Sequence, residues 1–247
     1  MLEGTVRFNA TIKGKGNGVT FPLFEFNPRK SGIEKVEIGA PNGNEIRTKV
    51  HFTTVASRDE ALVRATEVNT AALNRIAFRY NLAIETARMT GDQFSRVDSP
   101  PGVLEPGTGG YALSGGESRL LVGLPADTVK AELEHEVLPG EHNYGLFRSA
   151  GLAESPVEEF MLLYNLLLML HNDSQGAVDA FIVREDPGVT RTPSPHIPGA
   201  TETVYTRLRN ELGHTRSGVN LDNTRSDMAR TLDGPRALTK RAIELHP

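Results

Sequence analysis

The chain has 247 residues, a formal net charge of -4 and no cysteine. That length accommodates one large domain or two small ones, each able to bury a core. The charge balance excludes a global polycation of the kind that binds nucleic acid by electrostatics alone, and the missing thiols exclude disulfides, thiolate zinc sites and cysteine nucleophiles.

The first 56 residues alternate short β-rich runs with turn signals. Strands are expected at Thr5 to Ile12, Val19 to Phe26, Ile33 to Ile38 and Ile46 to Val55, a spacing typical of antiparallel sheet. The Gly-rich run Lys13 to Gly18 separates the first two. It lacks the Gly-Lys-Ser/Thr ending of a phosphate loop and reads as a hairpin turn. From Asp59 to Ala87 the pattern changes to a three-four rhythm through Leu62, Ala65, Val68, Ala72, Leu73, Ile76 and Tyr80, which predicts one long helix packed on the sheet. Further strands are expected at Gln93 to Val97, Tyr111 to Leu113 and Ser118 to Val122, among Pro- and Gly-rich connections. A short helix over Ala126 to Val137 then precedes the break Leu138-Pro139-Gly140. Glu132, Glu134, His135, Glu136, Glu141 and His142 crowd around it without a His-Glu-x-x-His spacing, so a charged surface is the expected reading and no metal site is assigned.

The second half reads as helical. Ser155-Pro156-Val157-Glu158 starts a helix that runs to about Asn172, with Ser155 as N-cap, Pro156 in the first turn and Glu158 at the capping-box position. Its apolar stretch Leu162 to Leu170 falls well short of the roughly 20 residues that span a bilayer. His171 at its end suits the helix dipole. A second helix is expected over Gln175 to Val183, then a loop carrying Pro187, Pro193, Pro195 and Pro198. A third helix spans about Thr201 to Thr215. A last region follows to Leu245, capped by Asp222 and kinked or broken at Gly234-Pro235. The expected class is therefore α+β, with a β-rich N-terminal domain over residues 1–138 that carries a long helix, followed by an all-α helical bundle over 139–247.

The helix around Tyr205 carries the chemistry. At about 100° per residue, Val204, Tyr205, Leu208 and Leu212 fall on an apolar stripe, and Arg209, Asn210, Gly213 and His214 lie opposite. Asn210 and His214 are one turn apart, and Arg209 can bring its guanidinium to the same point. Taken alone, the pattern also fits a solvated arginine, a surface amide, a C-cap glycine and a dipole-complementing histidine. From Arg207 to Arg241, eight basic residues (Arg207, Arg209, Arg216, Arg225, Arg230, Arg236, Lys240, Arg241) stand against four acidic ones (Glu211, Asp222, Asp227, Asp233). That local excess suits phosphate, and it also suits solvated helix faces.

Arg209-Asn210-Glu211-Leu212-Gly213-His214 resembles the signature of the HEPN superfamily, an arginine, a polar residue, three further residues and a histidine, found in helical domains of many ribonuclease toxins and antiviral effectors. The run from Val178 through Pro195 and Thr203 to Ile243 resembles the C-terminal part of the methylamine utilisation protein J family, which has a HEPN-like C-terminal domain. The resemblance implies a HEPN-like helical bundle and a metal-independent endoribonuclease in defence or stress response, needing no cofactor. Arg209, Asn210 and His214 would be its catalytic residues; beyond this motif nothing carries over, and Arg207 and Arg216, from the local basic excess, are the expected RNA contacts. It implies as partners RNA, single-stranded or in a structured loop, and a second copy of the chain docked through the helical domain; because an unregulated ribonuclease would harm its host, restraint by a regulatory protein, a ligand or the N-terminal domain is also expected. The alternative is a non-catalytic scaffold or ligand-sensing protein of the methylamine-utilisation type. No secretory leader and no membrane span are expected, which points to the cytoplasm.

Overall fold

A computed structural model describes residues 1–13, 18–97, 121–135, 141–195, 198–214 and 218–246. The expected strand Tyr111 to Leu113, the centre of the Lys13 to Gly18 turn and Arg216 lie outside the described residues. The architecture is mixed α+β, and the chain divides into two compact units, Met1–Val137 and Leu138–Pro247.

The first unit is a sheet carrying one long helix. Its strands are β1 (Leu2–Lys13), β2 (Gly18–Phe26), β3 (Ile33–Ala40), β4 (Glu45–Val55), β5 (Ala83–Ile84), β6 (Arg88–Arg96) and β7 (Leu121–Gly123). They run in the order β5-β1-β4-β3-β2-β7, with β6 also on β1, and every pairing is antiparallel except β2 with β7. Period-two alternation explains the layering: Val6, Phe8, Ala10 and Ile12 of β1 are buried while Arg7 and Thr11 between them are exposed. The apolar face meets Ala61, Ala65, Val68, Ala72, Leu73 and Ile76 of α1 (Arg58–Tyr80). Small alanines on that stripe let the helix lie close to the sheet.

Sequence rhythm carried α1 too far. It ends at Tyr80 because Asn81 turns left-handed (φ 55°) and its N–H returns to the Ala77 carbonyl, a stop that asparagine tolerates better than most residues. The chain after Asn81 forms β5 and β6 instead. At the other end of the unit, buried Arg75 donates through Nη1 to the carbonyls of Leu133 (3.2 Å) and His135 (2.9 Å) at the close of α2 (Ala126–Glu134). A fixed cation thus satisfies acceptors that a helix end leaves open. Glu132 and Glu134, part of the crowded acidic run, pair with Arg79 and Lys130.

The second unit contains α3 (Glu141–Gly151), α4 (Pro156–Leu170), α5 (Gln175–Glu185), α6 (Val204–Gly213), α7 (Leu221–Thr231) and α8 (Asp233–Leu245). It is not all-helical as expected. The Pro-containing segment between α5 and α6 folds back as an antiparallel hairpin of β8 (Arg191–Pro193) and β9 (Thr201–Thr203). Helix α4 is apolar around most of its circumference, which suits a central position, and it contacts each of the other five helices. Phe160, Leu163, Tyr164 and Leu167 of α4 are fully buried with Val178, Ile182, Leu208, Met228 and Ala242. Ser155 caps α4, accepting from Glu158 N at 3.2 Å, while the Glu158 carboxylate reaches back to Glu154 N at 3.0 Å. The last helical region is two helices broken at Leu232, and Asn220 rather than Asp222 caps the first of them, accepting from the N–H groups of Asp222 and Asn223. Pro235 thereby sits in the first turn of α8, where its missing N–H leaves no helical bond unmade.

Candidate functional site

Helix α6 begins directly where β9 ends. Thr203 is the last strand residue and also the N-cap, its hydroxyl accepting from Thr206 N at 3.3 Å. Asp179 of α5 anchors this junction, accepting from Thr203 N at 3.0 Å and from the Thr206 hydroxyl at 2.7 Å. Because the single Thr206 proton goes to Asp179, the 2.6 Å contact to Tyr164 Oη of α4 is a bond that the tyrosine donates. Burial pushes the Tyr164 hydroxyl well above its ordinary pKa, so it stays a donor.

On the far side of the helix, the Arg209 guanidinium reaches both neighbours that the helical wheel assigns to it. Nη1 donates to Asn210 Oδ1 at 3.0 Å and lies 3.1 Å from His214 Nε2. A guanidinium can only donate, so in this arrangement His214 accepts at Nε2 and carries its ring proton on Nδ1. His214 is exposed at the C-cap of α6, whose backbone (φ -122°, ψ 9°) has already left the helical path. A Cβ placed on Gly213 would meet nothing within 4 Å, so that stretch of the face is open to solvent.

Two sequence expectations change here. Asn210 does not share the exposed face with Arg209 and His214: it is 4% exposed, and its Nδ2 donates inward to Gln175 Oε1 of α5 at 3.0 Å and to Glu202 Oε2 of β9 at 3.4 Å. The wheel failed because the hairpin and α5 cover a side of α6 that its own sequence marks as polar. Arg207 does not present a loose charge: it lies 3.1 Å from Glu211 and 4.0 Å from Asp227 of α7. Glu211 is itself buried and accepts from Thr224 Oγ1 at 2.8 Å. The expected apolar stripe is buried at Tyr205 and Leu208 and half-buried at Val204 and Leu212.

The basic excess of the last 40 residues is largely spent in ion pairs. Arg225 meets Asp222, Arg230 meets Asp227, Arg236 meets Glu159 and Asp233, and Arg241 meets Glu185 and Glu244. Arg209 differs from these: an amide oxygen and an imidazole hold it, and its Nε is buried without a partner. A positioned guanidinium that no carboxylate among the described residues holds in an ion pair, beside an exposed imidazole, can bind an oxyanion and move a proton at one point.

Sequence reasoning missed Gln175, Asp179 and Glu202, which together fix Asn210 and the start of α6. Asp179 alone left a trace, as a charged residue flanked by Val178, Phe181 and Ile182 on a helix that otherwise turns an apolar face inward. Comparison with protein families, curated proteins and solved structures gave no match.

Proposed function

We propose that the chain is a metal-independent endoribonuclease of HEPN type, with Arg209, Asn210 and His214 at its centre. The observation that carries this reading is the 3.1 Å approach of Arg209 to His214, made by a guanidinium held by an amide oxygen and an imidazole, with no carboxylate among the described residues in an ion pair with it. An ion pair at either residue would have silenced the site.

In the proposed reaction a ribose 2′-hydroxyl loses its proton and attacks the adjacent phosphorus, the bond from phosphorus to the 5′-oxygen of the next nucleotide breaks, and that oxygen is protonated as it leaves, giving a 2′,3′-cyclic phosphate and a 5′-hydroxyl. His214 removes or supplies a proton, and Arg209 stabilises charge on the phosphorane oxygens. Both roles fall to residues of one helix, which offers a single histidine. A homodimer facing two α6 helices across the open Gly213 surface would bring two histidines to one cleft, and an RNA loop would fill it. This reading places the protein in the cytoplasm, in defence or stress response, with a partner protein restraining it. Among the described residues no helix is long and apolar enough to cross a membrane.

The second reading, a non-catalytic accessory protein of the methylamine-utilisation type, draws on the ion pairing of Arg207, Arg225, Arg230, Arg236 and Arg241, which lowers the field available to attract RNA. Incubation of the full chain with mixed cellular RNA in EDTA separates the two. The nuclease reading expects fragments with cyclic-phosphate ends, lost in folded His214→Ala and Arg209→Ala. Intact RNA at all protein concentrations would leave the accessory reading.

A further inference from the structure

The geometry points to Glu202 and Gln175 as positioning residues that orient Arg209 through Asn210. The inference rests on the proposed site in one respect, that Arg209 is the group that receives a phosphate.

The amide of Asn210 is fixed by what surrounds it. Its NH2 group faces two acceptors, Gln175 Oε1 at 3.0 Å and Glu202 Oε2 at 3.4 Å, while its oxygen faces the donor Nη1 of Arg209 at 3.0 Å. A flipped amide would set donor against donor at Arg209 and leave oxygen against oxygen on the inner side. Glu202, which can only accept, therefore selects the orientation in which a neutral acceptor meets the guanidinium, and Gln175 supports it with its amide oxygen turned to the same NH2 group. Both come from elements other than α6: Gln175 opens α5, and Glu202 is 3% exposed on β9, next to the N-cap Thr203 that Asp179 holds.

The consequence is electrostatic. A guanidinium can be held in place by a carboxylate or by an amide, and only the amide leaves its charge available to an incoming anion. Here the buried acid stands one residue behind, and Asn210 lies between it and Arg209. The acid orients the amide, the amide orients the cation, and the cation keeps its charge. An aspartate at position 210 would have nearly the same shape and the opposite effect, since it would pair with Arg209 directly and place a second acid beside Glu202.

The test observes Arg209 itself in the full-length protein. The side-chain Nε–H signal of Arg209, assigned by its loss in Arg209→Lys, is followed by nitrogen-15 NMR during titration with inorganic phosphate, and RNA cleavage in EDTA is measured in parallel. Gln175 is exposed at the start of its helix, so Gln175→Ala is expected to fold as wild type; Glu202→Gln removes the charge and keeps the shape. Expected is a phosphate-responsive Arg209 signal in wild type. It shifts or broadens in both variants, with phosphate affinity weakened on the order of tenfold, the scale of one charge-assisted hydrogen bond, and it loses its phosphate response in Asn210→Asp. An Arg209 signal and phosphate affinity unchanged in folded Gln175→Ala and Glu202→Gln would overturn the positioning role even if the wild type cuts RNA. If the wild type cuts no RNA while the variants weaken phosphate as expected, the nuclease reading falls and the positioning role stands. A wild-type Arg209 signal indifferent to phosphate overturns both.

Discussion

Nη1 of Arg209 reaches Nε2 of His214 at 3.1 Å across five residues of sequence, more than a full helical turn. The reach depends on His214 standing at the C-cap, where the backbone has unwound enough to swing the imidazole back over the last turn. Lysine could not reproduce it, because one ammonium lacks the planar fork that serves Asn210 and His214 and, in the proposed reaction, a phosphate. Arg209→Lys is expected to lower kcat/KM for RNA by about 100-fold or more, the scale seen for loss of one transition-state donor, while the thermal melt overlays that of wild type. Retained activity in a cleavage time course would remove Arg209 from the chemistry.

Tyr164 donates to Thr206 inside the core, and both are fully buried. Tyr164→Phe keeps the packing and deletes the hydroxyl, and Thr206 retains Asp179 and Thr203 as partners. The expected cost is about 1 to 2 kcal/mol, read by urea unfolding. A change larger than about 4 kcal/mol would mean that the hydroxyl holds more than this one bond.

Glycine to alanine inside a helix ordinarily stabilises by up to about 1 kcal/mol. At Gly234 the sign reverses, because an added Cβ would run into the Tyr205 hydroxyl and its ring carbon Cζ, the latter at 2.6 Å. Gly234→Ala is expected to destabilise by about 1 to 3 kcal/mol through overpacking. The penalty should shrink when Tyr205→Ala is already present, a non-additivity that a double-mutant cycle measures.

His171 contributes a pH-dependent part of the stability. Its ring packs on Phe181 at 4.8 Å and edge-on to His246 at 4.9 Å, and burial first, then His246 and Arg184, hold its pKa below the usual histidine value. The imidazole is thus favoured in its neutral form, against the dipole-cation role expected from its place at the end of α4. Because the unfolded chain binds the proton more readily, stability contributed here is complete above the unfolded histidine pKa of about 6.5 and falls as pH drops from there toward the folded value. Thermal melts between pH 7.5 and 5 should show this loss for wild type and a flatter profile for His171→Leu. Parallel profiles would refute it. Glu185, Asp92 and Glu85, whose carboxyls are held low by Arg184, Arg58 and Lys13, act only in a more acidic window.

What could be read from the sequence followed periodicity. The alternation of Val6, Phe8, Ala10 and Ile12 and the alanine stripe of α1 gave strands and helix nearly in place, because one buried face imposes a regular pattern. Helix α3 went unread: its packing face includes Asn143 and Arg148 beside Tyr144 and Phe147, and Gly145 interrupts it, so the amphipathic signal is diluted by buried polar groups. The β8–β9 hairpin went unread because strands of three residues flanked by prolines look like loop. At the site, the adjacency of Arg209 and His214 is a property of one helix and could be foreseen. The burial of Asn210 could not, since Gln175 lies 35 residues upstream and only the folded unit brings it near.

The junction of β9 with α6 has no connecting residues, and Asp179 grips both sides of it. A strand that becomes a helix without a loop has no hinge at which one can open and leave the other closed. The amide protons of Thr203 and of the first turn of α6 are therefore expected to open as a single cooperative unit, exchanging with solvent at one common free energy.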